Sequence, residues 1–160
     1  MTTPSNHYIQ TLRALVGPQR IFVPGVRAIL RNEHGEILLQ RRSDMDLWGL
    51  PGGMVELNET VLQSLRREVW EETALTVLDA EPMGLYCGPD HHLEYPNGDQ
   101  MQCFAIAFLV TRWEGTPRVN DHESLDLRFF AYSSIPSNLT TTHRLTLDDY
   151  ARYQGRFLVT

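Results

Sequence analysis

Lysine is absent: all 14 basic residues are arginine, a bias that the base composition of a gene produces as readily as a demand for forked phosphate contacts. Positive charge is scarce as well, since 20 acidic residues leave a formal net charge of −6. An extended nucleic-acid footprint needs clustered cations that displace counterions, so a long bound RNA or DNA tract is not expected. Only Cys87 and Cys103 carry thiols, without CxxC spacing, which predicts reduced cysteines rather than a disulfide framework or zinc site. No apolar run approaches the roughly 20 residues that span a bilayer, and "MTTPSNHYIQTLRALVG" lacks the basic and continuous apolar regions of a secretory signal. A soluble, cytoplasmic protein with no membrane partner is the expectation.

What remains is an ordinary globular composition, 42% hydrophobic and 21% charged. At 160 residues the chain can bury one core but not two, which predicts a single domain over 1–160. Tyr8, Ile9, Leu12, Leu15 and Val16 recur at helical spacing and predict a leading helix over about 6–16, stopped by Gly17-Pro18. Two β-rich runs about Asn32-Glu33-His34-Gly35 predict a hairpin. Further β-rich runs cover 75–87, 101–113 and 125–132, with a tight turn at Pro96-Asn97-Gly98-Asp99. Leu145, Leu147, Tyr150 and Tyr153 mark a closing helix with Gly155 as its stop. A mostly antiparallel or mixed sheet flanked by helices, an α+β fold, follows from this order.

Between these runs lies "GGMVELNETVLQSLRREVWEETAL", residues 52–75. Asn58 is the expected N-cap of a helix ending at about Thr73, with Val61, Leu62, Leu65 and Val69 as its apolar arc. At about 100° per residue, Glu72 falls about 40° to one side of Glu68 and Glu71 about 60° to the other. The three carboxylates share the rim of the core-facing arc, where like charges weaken a helix. Carboxylates crowded into a partly buried site must protonate or hold a cation. Oxygen-only ligands favour a hard ion, Mg²⁺ or Mn²⁺, which recruits phosphate oxygens to complete its shell.

Gly53, Glu59, Arg67, Glu68, Val69, Glu71, Glu72 and Leu75 stand at the spacing of the Nudix box, so the chain resembles the Nudix, or MutT-like, hydrolase family over residues 53–75, preceded by a matching "LWGLPG". Ala74 departs from the pattern, standing where the family usually has glycine. If that position keeps the left-handed conformation, alanine adds strain of about 1 kcal/mol. The resemblance implies a mixed sheet sandwiched between helices (α/β/α) and hydrolysis of a nucleoside diphosphate linked to another group X. It implies that Glu68, Glu71 and Glu72, with the Gly52 carbonyl, ligate Mg²⁺ (or Mn²⁺), that Glu59 supports the site and that Arg67 orients the acidic helix. Glu71 or Glu72 would help activate water. It is also compatible with a homodimer, although no residue pattern points to one.

Outside the box, Glu123 is a candidate additional ligand or base, with Asp121 competing. Arg27, Arg41 and Arg42 are candidates for substrate phosphate, but strand alternation turns Arg41 and Arg42 to opposite sides, so one of those two at most serves directly. Tyr86, His91, His92 and Tyr95 lie in a turn-rich segment that could stack on a base, and the histidines lack metal-ligand spacing. Trp48 is expected to pack at the entry to the box; Trp70, off the apolar arc, is expected to cover a strand or a subunit interface. The expected function is Mg²⁺-dependent cleavage of a phosphoanhydride in a soluble nucleoside triphosphate, nucleotide sugar or ADP-ribose. The alternative is a nucleotide-sensing module that keeps the box without hydrolysis. Decapping of an RNA 5′ end, a third reading, is disfavoured by the missing cationic track.

Overall fold

The structure is a computed structural model that describes residues 8–160; the first two residues of the helix expected over 6–16 lie outside the described residues. The leading helix, α1, runs over Tyr8–Val16 and ends at Gly17, whose positive φ of 65° suits a glycine. Strands β1 (Ile21–Ile29), β2 (Ile37–Arg42) and β3 (Trp48–Gly49) precede the central helix α2 (Val61–Thr73). Strands β4 (Thr76–Tyr86), β5 (His92–Glu94), β6 (Gln100–Glu114) and β7 (Ser124–Phe130) follow, then helix α3 (Thr141–Ala151) and the short β8 (Leu158–Val159).

The strands form two sheets. One has the order β1-β6-β4-β8, with β5 also paired to β6; the other is β3-β2-β7. The expected hairpin between β1 and β2 forms only at its tip, where Leu38 N donates to Leu30 O and Arg31 bridges Ile37 antiparallel. Asn32 and Gly35 do form a tight turn, but β1 runs parallel to β6 from Ile21↔Met101 to Ile29↔Leu109, and β2 pairs with β3 and β7. Residues 26–29 of β1 are buried throughout, the mark of a strand covered on both faces. A nine-residue register with the long β6 satisfies it better than the six residues of β2. The turn at 96–99 does close the β5–β6 hairpin, with Gly98 at φ 88°.

Alternation along β1 decides what lies on each side. Val26, Ala28 and Leu30 face Leu65 and Val69 of α2, together with Phe108 and Val110. Ile29 faces the other way, with Leu39, Trp48, Met83 and Leu147 of α3. Fully burying each aliphatic side chain contributes about 1.5–3 kcal/mol. The outcome is the expected α+β fold, sheet between helices.

Two details of α2 differ from the sequence expectation. Thr60, not Asn58, is the N-cap: its hydroxyl accepts from Gln63 N at 3.2 Å, and Gln63 Oε1 accepts from Thr60 N at 2.8 Å. This is the Thr-x-x-Gln capping box, while Asn58 sits in a preceding turn at φ 67°. Val61 and Leu62, expected on the apolar arc, are 37% and 39% exposed. At the other end Ala74 caps the helix in the left-handed conformation (φ 60°, ψ 18°), as its position predicted.

Candidate active site

Residues 51–55 run beside the free edge of β1, where Ala28 N donates to Pro51 O and Val26 N to Gly53 O, at 2.8 and 2.9 Å. Alternate carbonyls therefore point at β1, while that of Gly52 takes no backbone hydrogen bond. Gly52 has φ 143°, and a side chain there would strike Val26 O, 2.1 Å from an ideal Cβ. A Cβ on Gly53 would lie 2.5 Å from the Glu68 carboxylate. The two glycines let the loop lie flat between β1 and the acidic face of α2.

Glu72 is 4% exposed, and its Oε2 accepts from Gly52 N at 2.7 Å. Burial pushes its carboxyl well above the usual range, and the neighbouring Glu68 charge pushes the same way, against hydrogen bonds from Gln40 and the Gly52 amide. Glu68 is likewise pushed up to about 7, by burial first, with Arg67 opposing. Arg67 donates Nε to Glu59 Oε1 (2.6 Å) and Nη1 to Glu68 Oε1 (2.7 Å) and Glu71 Oε2 (3.1 Å). Its Nη2 reaches Glu59 Oε2 (2.9 Å) and the Met54 carbonyl (3.0 Å). One guanidinium thus ties the box loop to the helix, as a planar fork can.

Carboxylate oxygens of Glu72, Asp121 and Glu123 lie within 4.8 Å of one another. Asp121 Oδ1 accepts the backbone N–H of Glu123 (3.1 Å) and Ser124 (3.0 Å), and Glu123 O accepts from Ser43 N (2.8 Å). Asp121 therefore shapes the loop, and the Glu123 side chain is left exposed at the cleft. The Glu56 Oε2 atom, on the cleft wall, is buried without a hydrogen-bond partner. These acids, with Glu68 and Glu71, border a cleft of ≈ 1110 Å³ between the two sheets. The oxygen-only donor set fits a hard dication.

The arginine candidates separate. Arg41 is directed away from the cleft and paired to Asp46 at 2.7 Å; Arg42 lines the cleft and is held by Asp44 at 2.7 Å. Arg27, 3% exposed, donates to Thr142 O (3.1 Å) and Thr146 Oγ1 (2.6 Å) of α3. No carboxylate stands within salt-bridge distance of it among the described residues, and it too borders the cleft. Tyr86, a candidate to stack on a base, ends β4 within the expected 75–87 run and is fully buried, its ring beneath the Arg27 guanidinium at 5.6 Å. It supports an arginine and has no open face for substrate. His91 is buried against Tyr86, and His92 donates Nδ1–H to Pro89 O. Tyr95 does line the cleft. Trp48 packs edge-on against Phe130 (5.0 Å) as expected, while Trp70 is 55% exposed at the border of the cleft.

His143 is a residue the sequence did not single out. Leu50 N donates to its Nδ1 at 2.9 Å, so the ring proton must sit on Nε2. Burial, with Arg27 and Arg42 nearby, pushes its pKa well below the ordinary value. The neutral ring borders the same cleft.

The NUDIX domain model matches residues 21–150. The chain belongs to the Nudix hydrolase family. Its Nudix domain is 28% identical over 132 residues to an ADP-ribose pyrophosphatase of Methanocaldococcus jannaschii, covering 81% of this chain and 73% of that one. It is 44% identical over 61 residues to a MutT-like protein of Streptomyces ambofaciens, covering 38% and 40% of the two. The chain thus spans less than half the length of some curated relatives that it matches, the Streptomyces protein among them. Among solved structures, a MutT NUDIX hydrolase from Burkholderia pseudomallei superposes with a TM-score of 0.68 at 29% identity, over 80% of this chain and 97% of that one. The MutT protein of Methanosarcina mazei gives 0.66 at 26%, over 84% and 96%. No helix among the described residues is long and apolar enough to cross a membrane.

Proposed function

We propose that this Nudix protein is a pyrophosphohydrolase, dependent on Mg²⁺ or Mn²⁺, that cleaves a phosphoanhydride bond in a soluble nucleotide derivative. The observation that carries the reading is the convergence of Glu72, Asp121 and Glu123 oxygens within 4.8 Å around a carboxyl that burial already disfavours as an anion. Glu68, Glu71, Glu72 and the Gly52 carbonyl hold the metal, with Glu123 as a further ligand or base. When bound, the dication supplies positive charge against that developing on the phosphate oxygens.

Arg67 positions the acidic face, and Arg27 is the seat for a substrate phosphate. A buried guanidinium without a carboxylate is costly, and a phosphate oxygen at the cleft supplies the missing counter-charge. Glu71, Glu72 or Glu123 takes the proton of the attacking water; its oxygen bonds to phosphorus, the P–O–P bridge breaks, and a nucleoside monophosphate and an X-phosphate leave. Relatives include an ADP-ribose pyrophosphatase and RNA pyrophosphohydrolases, and a net charge of −6 without lysine favours the small nucleotide over RNA.

The test is a screen of nucleoside triphosphates, nucleotide sugars, dinucleoside polyphosphates and ADP-ribose with Mg²⁺, mass spectrometry locating the broken bond through ¹⁸O-labelled water. Turnover should vanish with EDTA and fall about 10²-fold or more in Glu72→Gln. Full turnover in that variant refutes the assignment, and calorimetric binding without product across the panel would make the protein a nucleotide sensor instead.

A further inference from the structure

His143 stands on the first turn of α3, outside the box, and the chemistry assigned above makes no use of it. The chain is nevertheless built around its ring. Thr140 N donates to Trp48 O and Trp48 N to Asn138 O, both at 2.9 Å, so the start of α3 is stitched to β3. A Cβ on Gly49 of β3 would lie 2.8 Å from Nδ1 and 3.2 Å from Cε1 of the imidazole, so the ring occupies the space a side chain there would need. With Leu50 N donating to Nδ1 at 2.9 Å, that edge of the ring is committed to the backbone of 49–50.

The other ring nitrogen is unspent. Among the described residues nothing accepts from Nε2, and Nε2 is not one of the side-chain atoms sealed from solvent without a partner. The residue is 8% exposed and borders the acidic cleft. Thr142, the preceding residue, gives its carbonyl to Arg27 Nη1 at 3.1 Å, which sets His143 beside Arg27 at the cleft wall, with Arg42 as a second cation nearby. Arg27 lacks a counter-charge and His143 lacks an acceptor. Buried donors are seldom left so.

We infer that His143 Nε2–H donates to the substrate phosphate that sits on Arg27, which makes α3 part of the phosphate seat. The inference rests on the hydrolase reading for the nature of the ligand and adds to it a binding residue from the far end of the chain. The tautomer decides the role: because Nδ1 accepts from Leu50, the nitrogen left for the cleft carries the proton, so His143 is a donor there and not a base for the attacking water. A neutral donor suits the place. Arg27 and Arg42 already bring two positive charges, and a third beside them would repel both, whereas an uncharged N–H still gains a strong hydrogen bond from an ionised acceptor.

Two substitutions separate this role from a structural one. His143→Asn keeps an acceptor for Leu50 N where Nδ1 stands and removes the cleft donor; His143→Gln places an amide N–H where Nε2 stands and gives up the bond to Leu50. The probe is imidodiphosphate, whose P–N–P bridge resists hydrolysis, followed by calorimetry with Mg²⁺ and again in EDTA. His143→Asn should bind it about tenfold or more weakly than the wild type while melting close to it. His143→Gln should melt lower yet keep most of the affinity. A role confined to holding Leu50 gives the reverse order, and that result, or an unchanged Kd in His143→Asn, would overturn the inference. A second readout needs no variant: in ¹⁵N-histidine-labelled wild type, the His143 Nε2 resonance should move on adding imidodiphosphate and Nδ1 should move less, and a static Nε2 at saturation would refute the contact. A wild type that binds the probe in neither condition has no such seat and also sinks the proposal. If the probe binds in the expected order and no nucleotide is turned over, the hydrolase reading fails and the seat stands. Where a substrate is turned over, the loss in His143→Asn should fall on KM more than on kcat.

Discussion

Glu68→Gln should stabilise the metal-free protein at alkaline pH and leave it nearly unchanged at acid pH. In the folded chain burial holds the Glu68 carboxyl up at about 7, against an ordinary 4.5. A carboxyl raised in the folded state is neutral and harmless below its unfolded value. As pH climbs from about 4.5 through about 7 the unfolded chain ionises it freely while the folded chain resists, so stability is lost across that window. The difference corresponds to about 3 kcal/mol, or roughly 6–12 °C in Tm for a chain of this size. Glutamine keeps the shape and an acceptor for Arg67 without the charge. Thermal melts of wild type and variant in EDTA, from about pH 5 to about pH 8, should coincide at the acid end and diverge in favour of the variant at the alkaline end. The comparison cancels the opposing contribution of His143, which both proteins share. Millimolar Mg²⁺ should then raise the Tm of the wild type at pH 8 more than that of the variant. A Glu68→Gln protein equally destabilised at every pH would show that the Arg67 pair outweighs the desolvation cost, and would sink the argument that this acidic face is held against its own electrostatics.

Other expectations follow from the same contacts. Arg67→Lys keeps a charge but loses the fork that joins Glu59, Glu68 and Glu71; partial exposure tempers the cost to about 2 kcal/mol, read as a drop in urea midpoint at unchanged m. Ala74→Gly relieves left-handed strain but loosens the unfolded chain, for a net gain of about 0.5 kcal/mol; a destabilised variant would refute the strain. The ¹⁵N spectrum of His143 should show a proton on Nε2 and none on Nδ1, unchanged from about pH 5 to about pH 8, and a titration near 6.5 would contradict its burial.

How far the sequence carried depended on whether the physics was local. The acidic face, the left-handed Ala74 and the 96–99 turn were readable because period, φ preference and turn chemistry act within a few residues. The hairpin expected between β1 and β2 stops at its tip because the long partner of β1 is β6, far along the chain, and nothing local favours parallel over antiparallel pairing. Asn58 and Thr60 both suit an N-cap, and only Gln63 three residues beyond Thr60 distinguishes them. Tyr86 was legible as a strand residue, but its full burial in the cluster that includes Leu147 of α3 was not. Arg27 was visible as a candidate, but its missing counter-charge was not, and His143 is joined to Leu50 across 93 residues of chain, with no motif to announce it.

The loop at Gly52 and Gly53 bears on how such a box is to be interpreted in other chains. Gly52 is closed to any side chain by the Val26 carbonyl, whereas Gly53 meets only the end of the Glu68 side chain, so architecture alone would retain Gly52 in a descendant that had abandoned catalysis. Glu71, with 45% of its side chain open to water, packs against little and would drift first. Within this signature, then, Gly52 testifies to shape, and the solvent-facing acid testifies to chemistry.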